Sequence, residues 1–268
     1  HETSLLEKFV IAYKSSYEFS GESAGGGDGS MRRPGTQDNV FLQLFNAILE
    51  YRFLEGRWQQ LRSGNHRLVV LQCMRLLMRD AFFQRRFLVS GGRDDLISVF
   101  EEEGGMHYTE VSRQGSAGGQ YPLVHIASML TKLEAEVLMH CTKAACYLLS
   151  TSDPYLLQCV LILLHKVARE DTLLSQHCQG ILQFPAGDGA VETCEKLLEI
   201  LQLQPKLEFR QLAAEVLIAV SAVDTNRACI AANDGSKVLI GLVQNSEDAV
   251  TVDALTLLEI QSLDAEVS

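Results

Sequence analysis

The chain has 268 residues, of which 47% are apolar and 7% aromatic, and only five are proline. This composition supports a large helical core and disfavours a β-sheet protein. The formal net charge of −11 argues against a general nucleic-acid-binding surface, and no run of about 18 uncharged apolar residues is present to span a membrane.

Charge is distributed unevenly along the chain. Residues 51–100 hold nine Arg/Lys against four Asp/Glu, whereas residues 186–268 hold five against fourteen. Such a gradient can orient a partner, and solvated helix faces are the commoner explanation. The seven cysteines lack paired short spacings and mostly fall in apolar runs. We interpret them as reduced, buried thiols of an intracellular protein.

The N-terminal part of the chain divides into an arm and a helical region. Residues 1–35 are predicted to form an N-terminal arm and a Gly/Ser-rich linker, because "SGESAGGGDGS" has no apolar periodicity. Helices follow at 39–54 and 66–79. The next helix, "AFFQRRFLV", is predicted to end at the two glycines 91 and 92, where a left-handed cap favours glycine. A loop insertion is predicted at 104–122.

The C-terminal part repeats one pattern of a short helix, a glycine stop, a second helix and a long helix. Long helices are predicted near residues 154–169, 205–221 and 249–261, so the repeats are about as long as the ~40–47 residues of HEAT and armadillo proteins. Pro122, Pro154 and Pro205 are each expected in the first turn of a helix, with Asp153 as an N-cap. Gly235, in the stop "NDG", is expected to adopt a positive φ.

The predicted fold is therefore all-α: an armadillo-like α-solenoid, a right-handed superhelix of three-helix repeats, covering residues 36–268. A single unit cannot bury its Leu-rich faces, and stacked units form one continuous core. The three-helix unit with a glycine before its second helix favours armadillo over HEAT.

Motifs for catalysis and metal binding are not recognised in the sequence. "GGGDGS" lacks the Lys-Ser/Thr of a phosphate loop, and "HRL" at His66 lacks the aspartate of a kinase catalytic loop. The adjacent pairs His140-Cys141 and His177-Cys178 do not have zinc-site spacing. We therefore predict no catalytic, cofactor-binding or metal-binding residue in this chain.

A partner-binding groove is predicted along the long helices, because each must leave one stripe of side chains outside the core. The predicted stripe becomes more acidic along the chain, so we expect an extended partner segment with its acidic end near Arg75 and Arg79. Its predicted residues are Gln72, Arg75, Arg79, Tyr155, Gln158, Ile162, His165, Arg169, Glu208, Gln211, Glu215, Asp253 and Thr256.

One stretch resembles a known family. "YRFLEGRW" and "LQCMRLLMRDAFFQRRFLVSGGRDDL", strongest from Val70 to Leu96, resemble the armadillo-repeat region of the NIMA-related serine/threonine protein kinases. The opening "HETSLLEKFVIAYKSSYEFS" resembles the lead-in to that region. Past Gly104 only the repeat architecture is shared.

The resemblance implies a parent kinase that uses ATP and Mg²⁺, with its catalytic domain beyond this fragment, so no catalytic residue is transferred to this chain. It implies a role in the cell cycle, with location in the cytoplasm, centrosome, cilium or nucleus. Expected partners are protein or peptide segments, including the parent's own kinase domain, and neither nucleic acid nor membrane. The alternatives are a freestanding armadillo scaffold or adaptor and, least favoured, an enzyme of unrecognised type.

Overall fold

The computed structural model describes residues 71–75, 78, 81–89, 91–101, 121–170, 180–187, 191–245 and 249–265. The predicted arm and linker at 1–35, the helix at 39–54 and residues 104–120 of the predicted insertion lie outside these ranges. The chain comprises two compact units that divide between Val99 and Phe100.

The described residues are almost entirely helical. Residues 71–75 of the first unit are helical and are followed by α1. Residues 92–101 form α2, which spans the division at Val99. The other helices are α1 (Ala81–Val89), α3 (Tyr121–Leu130), α4 (Ala135–Leu138), α5 (Thr142–Leu148), α6 (Pro154–Ala168), α7 (Thr193–Leu203), α8 (Leu207–Val220), α9 (Asp224–Ala232), α10 (Gly235–Asn245) and α11 (Ala249–Ala265). Short 3-10 turns occupy Met139–Cys141 and Ile181–Gln183. No β-strand occurs in these ranges, which contain one isolated bridge between Pro185 and Glu192.

The second unit is organised around its long helices. α6 packs against α3 on one side and α8 on the other, and α8 packs in turn against α11. A shorter helix forms a hairpin with each of them: α5 with α6, α7 with α8 and α10 with α11. This stacking of helix hairpins is the predicted all-α solenoid, in which every hairpin buries its apolar faces against its neighbours.

The hairpin helices and long helices meet through a continuous apolar core. On α6 the buried side chains recur with helical spacing and cover the sides that face α3, α5 and α8. They are Leu156, Leu157, Val160, Leu161, Leu163, Leu164, Val167 and Ala168. Because the sides that face these three helices are buried, only one stripe of α6 reaches solvent.

The start of α6 agrees with the sequence prediction, and the start of α8 does not. Asp153 is the N-cap of α6, and its Oδ1 accepts hydrogen bonds from the backbone N–H groups of Tyr155 at 2.8 Å and Leu156 at 3.0 Å. α8 begins at Leu207 with Lys206 as its N-cap, so Pro205 precedes the helix rather than occupying its first turn. Its ring restricts Gln204 to an extended backbone, which ends α7.

The predicted positive φ at Gly235 is wrong, and the structure shows a different reason for this glycine. Asp234 is the residue in the left-handed region, with a φ of 55°, while Gly235 is the first residue of α10. A Cβ on Gly235 would overlap Ile230 Cγ2 and would lie 2.6 Å from the Ile230 carbonyl oxygen. The corner between α9 and α10 therefore needs glycine for close approach, and Asp can supply the left-handed residue.

The corner between α1 and α2 uses the same two-residue arrangement. Gly91 has a φ of 84°, as predicted for a left-handed cap. Gly92 already belongs to α2, and a Cβ there would overlap the Phe87 ring, with Phe87 Cδ2 at 2.5 Å. In both corners a left-handed residue is followed by a glycine that contacts the side chain five positions earlier.

Substitution of Gly235 tests the close approach directly. Gly235→Ala is expected to lower the free energy of unfolding by about 1–3 kcal/mol, because the added methyl group meets a backbone carbonyl that cannot rotate away. The measurement is the urea or thermal unfolding curve. Gly241→Ala is the matched control, since it lies in the same helix and a Cβ there meets nothing within 4 Å. Equal stability of the two variants would contradict the assignment.

Candidate functional site

The residues predicted for the groove in the second unit lie on one surface of the long helices. We call this surface the long-helix face. It comprises Tyr155, Gln158, Ile162, His165 and Arg169 at α6, Glu208, Gln211 and Glu215 on α8, and Asp253 and Thr256 on α11. All of them are exposed or half-buried, whereas the opposite sides of the same helices are buried.

A hydrogen bond joins α6 and α8 near their N-terminal ends. Gln158 Nε2 donates to Glu208 Oε1 at 2.5 Å, across 50 positions of sequence. The contact lies at the surface, where such bonds contribute little to stability. Its consequence is geometric, because it holds two predicted groove side chains side by side where α6 and α8 meet.

A second contact joins the same two helices further along the face. His165 Nε2 lies 3.2 Å from Glu215 Oε2. Burial is the largest influence on His165 and lowers its pKa from 6.5, while the carboxylate of Glu215 raises it and Arg169 lowers it further. The imidazole is therefore neutral at pH 7, and the contact becomes an ion pair only on acidification.

Glu215 also acts on the next helix. The pKa of Asp253 on α11 is raised from 3.8, first by burial and then by repulsion from Glu215. His165, Glu215 and Asp253 thus come from α6, α8 and α11 in succession and interact electrostatically. Two carboxylates on adjacent helices give this part of the long-helix face a negative potential.

Basic side chains close to the face are engaged by backbone carbonyls. Lys166 Nζ donates to the carbonyl oxygens of Thr131 at 2.7 Å and Leu133 at 3.2 Å, just after α3. Arg210 Nε donates to Leu201 O at 2.9 Å, in the last turn of α7. These cations satisfy carbonyl groups that a helix end leaves without intrahelical partners. Sequence reasoning missed this use of them.

The long-helix face also contains apolar side chains. Tyr155, at the start of α6, is 71% exposed, and Val252, four residues before Thr256 on α11, is 64% exposed. Val252 was not among the predicted groove residues, although its spacing from Thr256 places it on the same face. An exposed aromatic and an exposed aliphatic side chain give the face apolar contacts to offer alongside its charges.

The remaining predicted groove residues belong to the first unit. Gln72 and Arg75 lie in the helical residues 71–75 and are both half-buried. Arg79 lies outside the described residues. The proposed acidic end of a partner near Arg75 and Arg79 therefore stays a prediction.

The described ranges contain no cluster of His, Cys, Asp or Glu arranged to hold a metal ion. His140 is exposed and Cys141 is buried, so these neighbours do not share a site. Burial, and then the charge of Glu101, raise the pKa of Cys141 to about 12, which makes its thiol unreactive. In the same ranges no helix has the length and apolarity to cross a bilayer.

Comparison with solved structures decides the fold. A designed armadillo repeat protein in complex with the peptide (KR)4 superposes with a TM-score of 0.53 over 86% of this chain and 95% of that chain, at 9% identity. A second designed armadillo repeat protein gives 0.54 over 86% and 96%, at 11% identity. The chain has an armadillo-like fold. At these identities, the likeness concerns the armadillo-like solenoid alone.

Comparison of sequences gives a partial match. No protein-family profile matches the chain. The serine/threonine-protein kinase Nek10 of Mus musculus is 33% identical over 96 residues, which is 36% of this chain and 8% of the kinase. Nek10 of Homo sapiens is 32% identical over 96 residues, or 7% of its length. The chain thus matches less than a tenth of either kinase.

Replacement of Asp253 tests the electrostatics of the long-helix face. Folded protein holds the Asp253 proton more tightly than unfolded protein, so the charged form destabilises the fold above the raised pKa. Asp253→Asn is expected to raise the melting temperature slightly at pH 7, with the gain fading as the pH falls toward 3.8. Melting curves between pH 7 and pH 4 measure this. Glu259→Gln, an exposed site on the same helix, is the control, and a pH-independent gain would exclude the stated cause.

Proposed function

We propose that this chain is a non-catalytic armadillo region that binds a peptide segment of a protein partner along the long-helix face, and that it serves a protein kinase of the NIMA-related family. The observation that carries the first part is the succession of polar and charged side chains on α6, α8 and α11. They stand on neighbouring long helices and interact from one helix to the next, which suits an extended segment that contacts one repeat after another.

The chemistry of the face favours a basic segment over its α8 and α11 portion. Glu208 and Glu215 are exposed carboxylates, and Asp253 adds a third one that is half-buried. Glu215 repels Asp253, and a partner's Lys or Arg would relieve that repulsion. Tyr155 and Val252 would pack against the aliphatic stems of such side chains.

The solved neighbour provides independent support for this mode of binding. That designed armadillo protein is in complex with an alternating Lys-Arg peptide. Its fold matches this chain over most of both lengths, and this supports peptide binding as the role of the shared architecture. The specificity of this chain would rest on its own carboxylates.

The kinase part of the proposal rests on the match to Nek10. The similarity covers 96 residues, and the two kinases are many times longer than the matched segment. A repeat region attached to a catalytic domain commonly recruits substrates or restrains the enzyme. On this proposal the partner segment is a substrate, a targeting protein or the parent's own kinase domain.

Binding of a basic octapeptide tests whether the long-helix face is a peptide-binding surface. Alternating Lys-Arg peptide is expected to bind the chain at low salt, and Glu208→Gln with Glu215→Gln should weaken binding roughly three- to tenfold, because each exposed charge pair contributes a modest free energy. Fluorescence anisotropy with a labelled peptide measures the affinity. Glutamine retains the ability to hydrogen-bond Gln158 and His165.

The control has the same change in net charge away from the face. Glu136→Gln with Glu195→Gln removes two exposed carboxylates from α4 and α7, which do not belong to the long helices. This double variant should bind like the original chain. Equal weakening by both double variants would mean that net charge alone attracts the peptide, and unchanged binding by both would reject the groove.

A full-length transcript tests the kinase association separately. It is expected to encode a glycine-rich loop, a phosphate-binding lysine and a catalytic aspartate in the same reading frame as the repeats. The purified repeat chain should show neither ATP hydrolysis nor protein phosphorylation. A complete reading frame without a kinase domain would favour the freestanding adaptor, while the peptide-binding result would be unaffected.

A further inference from the structure

The two contacts between α6 and α8 on the long-helix face differ in one chemical respect. Gln158 donates to Glu208 through an amide, whose charge does not change with pH. His165 meets Glu215 through an imidazole, with Nε2 3.2 Å from Oε2, and an imidazole gains a proton near neutral pH. The second contact can therefore respond to pH, and the first provides a fixed comparison between the same two helices.

Both side chains of the second contact are in position for an ion pair. The side chain of His165 keeps 17% of its surface exposed, and that of Glu215 keeps 47%. The imidazole is thus held between packed helices, while the carboxylate reaches solvent, where a partner can meet it. At 3.2 Å, addition of a proton to His165 makes the contact an ion pair without any movement of α6 or α8.

The charges that act on His165 come from α6 and α8. Burial is the largest influence and lowers the pKa of His165 from 6.5, Glu215 raises it, and Arg169 at the end of α6 lowers it. Lys166, the next residue, donates to two backbone carbonyl oxygens just after α3. Protonation of His165 therefore takes place in mild acid and puts a positive charge directly against Glu215. The helices packed against α6 also carry these charged or imidazole side chains: His125 on α3, Glu136 on α4, Lys143 on α5, and Glu208 and Arg210 on α8.

We propose that protonation of His165 pairs it with Glu215 and thereby weakens the binding of a basic partner segment to the long-helix face, so that mild acid releases the segment. The proposal rests on the peptide-binding function proposed above and adds its regulation. At pH 7 the Glu215 carboxylate lies beside a neutral imidazole and can pair with a partner's Lys or Arg. In mild acid the same carboxylate is paired within the chain, and the imidazolium repels the partner's cation.

The expected weakening is partial. Glu208 keeps Gln158 as its partner, and the charge of that amide does not change, so this end of the face still attracts cations in mild acid. Only one of the three carboxylates of the long-helix face is neutralised by His165. Because an exposed charge pair contributes a modest free energy, we expect the affinity for a basic segment to fall by about three- to tenfold.

Binding of the alternating Lys-Arg octapeptide at about pH 7.5 and about pH 5 tests the proposal, because neither Lys nor Arg titrates in that range. At constant ionic strength, the dissociation constant of the original chain should rise about three- to tenfold in acid. His165→Gln retains a hydrogen-bond donor and cannot take up a proton, so its dissociation constants at the two pH values should be nearly equal. His140→Gln removes an exposed imidazole that lies outside the long helices and should keep the full change.

The outcomes separate the regulation from the binding itself. Absence of binding at about pH 7.5 would reject the peptide-binding function and the regulation with it. Binding that is equally tight at both pH values, or that weakens as much in His165→Gln as in the original chain, would overturn the regulation and leave the peptide-binding function standing. Far-UV circular dichroism of each chain at both pH values excludes loss of helical structure as the cause.

The imidazole NMR signals of His165 check the contact directly. In the free chain they should titrate below pH 6.5, and Glu215→Gln should move the titration to still lower pH, because the carboxylate that raises the pKa is gone. Bound peptide should lower the pKa of His165 as well, since a proton and a cationic segment that oppose each other must do so reciprocally. A His165 pKa that is the same with and without the Glu215 carboxylate, or with and without peptide, would overturn the proposal.

Discussion

Burial of apolar surface between successive long helices is the interaction on which the rest of this structure depends. α6 is covered by α3 on one side and by α8 on the other, and its buried residues are aliphatic throughout. Removal of either neighbour would expose a leucine-rich surface. The stacking in turn sets the distance between α6, α8 and α11. That distance is what allows Gln158 to meet Glu208 and His165 to meet Glu215.

The polar chemistry follows from the same arrangement. Stacked hairpins place helix ends beside the flanks of neighbouring helices, where the carbonyl groups of the last turn need donors. Lys166, Arg210 and Arg227 provide them, the last with a hydrogen bond from Nη1 to Ser221 O at 2.8 Å. Several of the cations of the second unit are thus part of the scaffold. The carboxylates of the long-helix face remain at the surface, and the potential of that face is correspondingly negative.

Much of this architecture could be predicted from local sequence rules. The long helices, the armadillo-like repeat and the Asp153 cap depend on apolar spacing and on residues within one turn, so a single sequence contains the necessary information. Gly235 shows the limit of such rules. The stop "NDG" indicates a left-handed residue, but which member adopts it depends on how closely Ile230 approaches, and that is set by the packing of two helices.

The candidate site shows the same division. Helical spacing predicted which side chains of α6 and α8 share a face, but it could not predict that Glu215 would influence both His165 and Asp253, since this requires the rotation of three helices about their axes.

The two helix corners have a consequence for how such repeats diverge. At the left-handed position, Gly91 in one corner and Asp234 in the other satisfy the same backbone requirement, so drift among Gly, Asn and Asp is tolerated there. The following glycine contacts a neighbouring residue closely in both corners, and every other amino acid adds atoms to a space that is already filled. Duplicated repeats can therefore lose nearly all sequence resemblance to one another while this one position remains glycine. That glycine then marks the register of each repeat after the rest of its sequence has diverged.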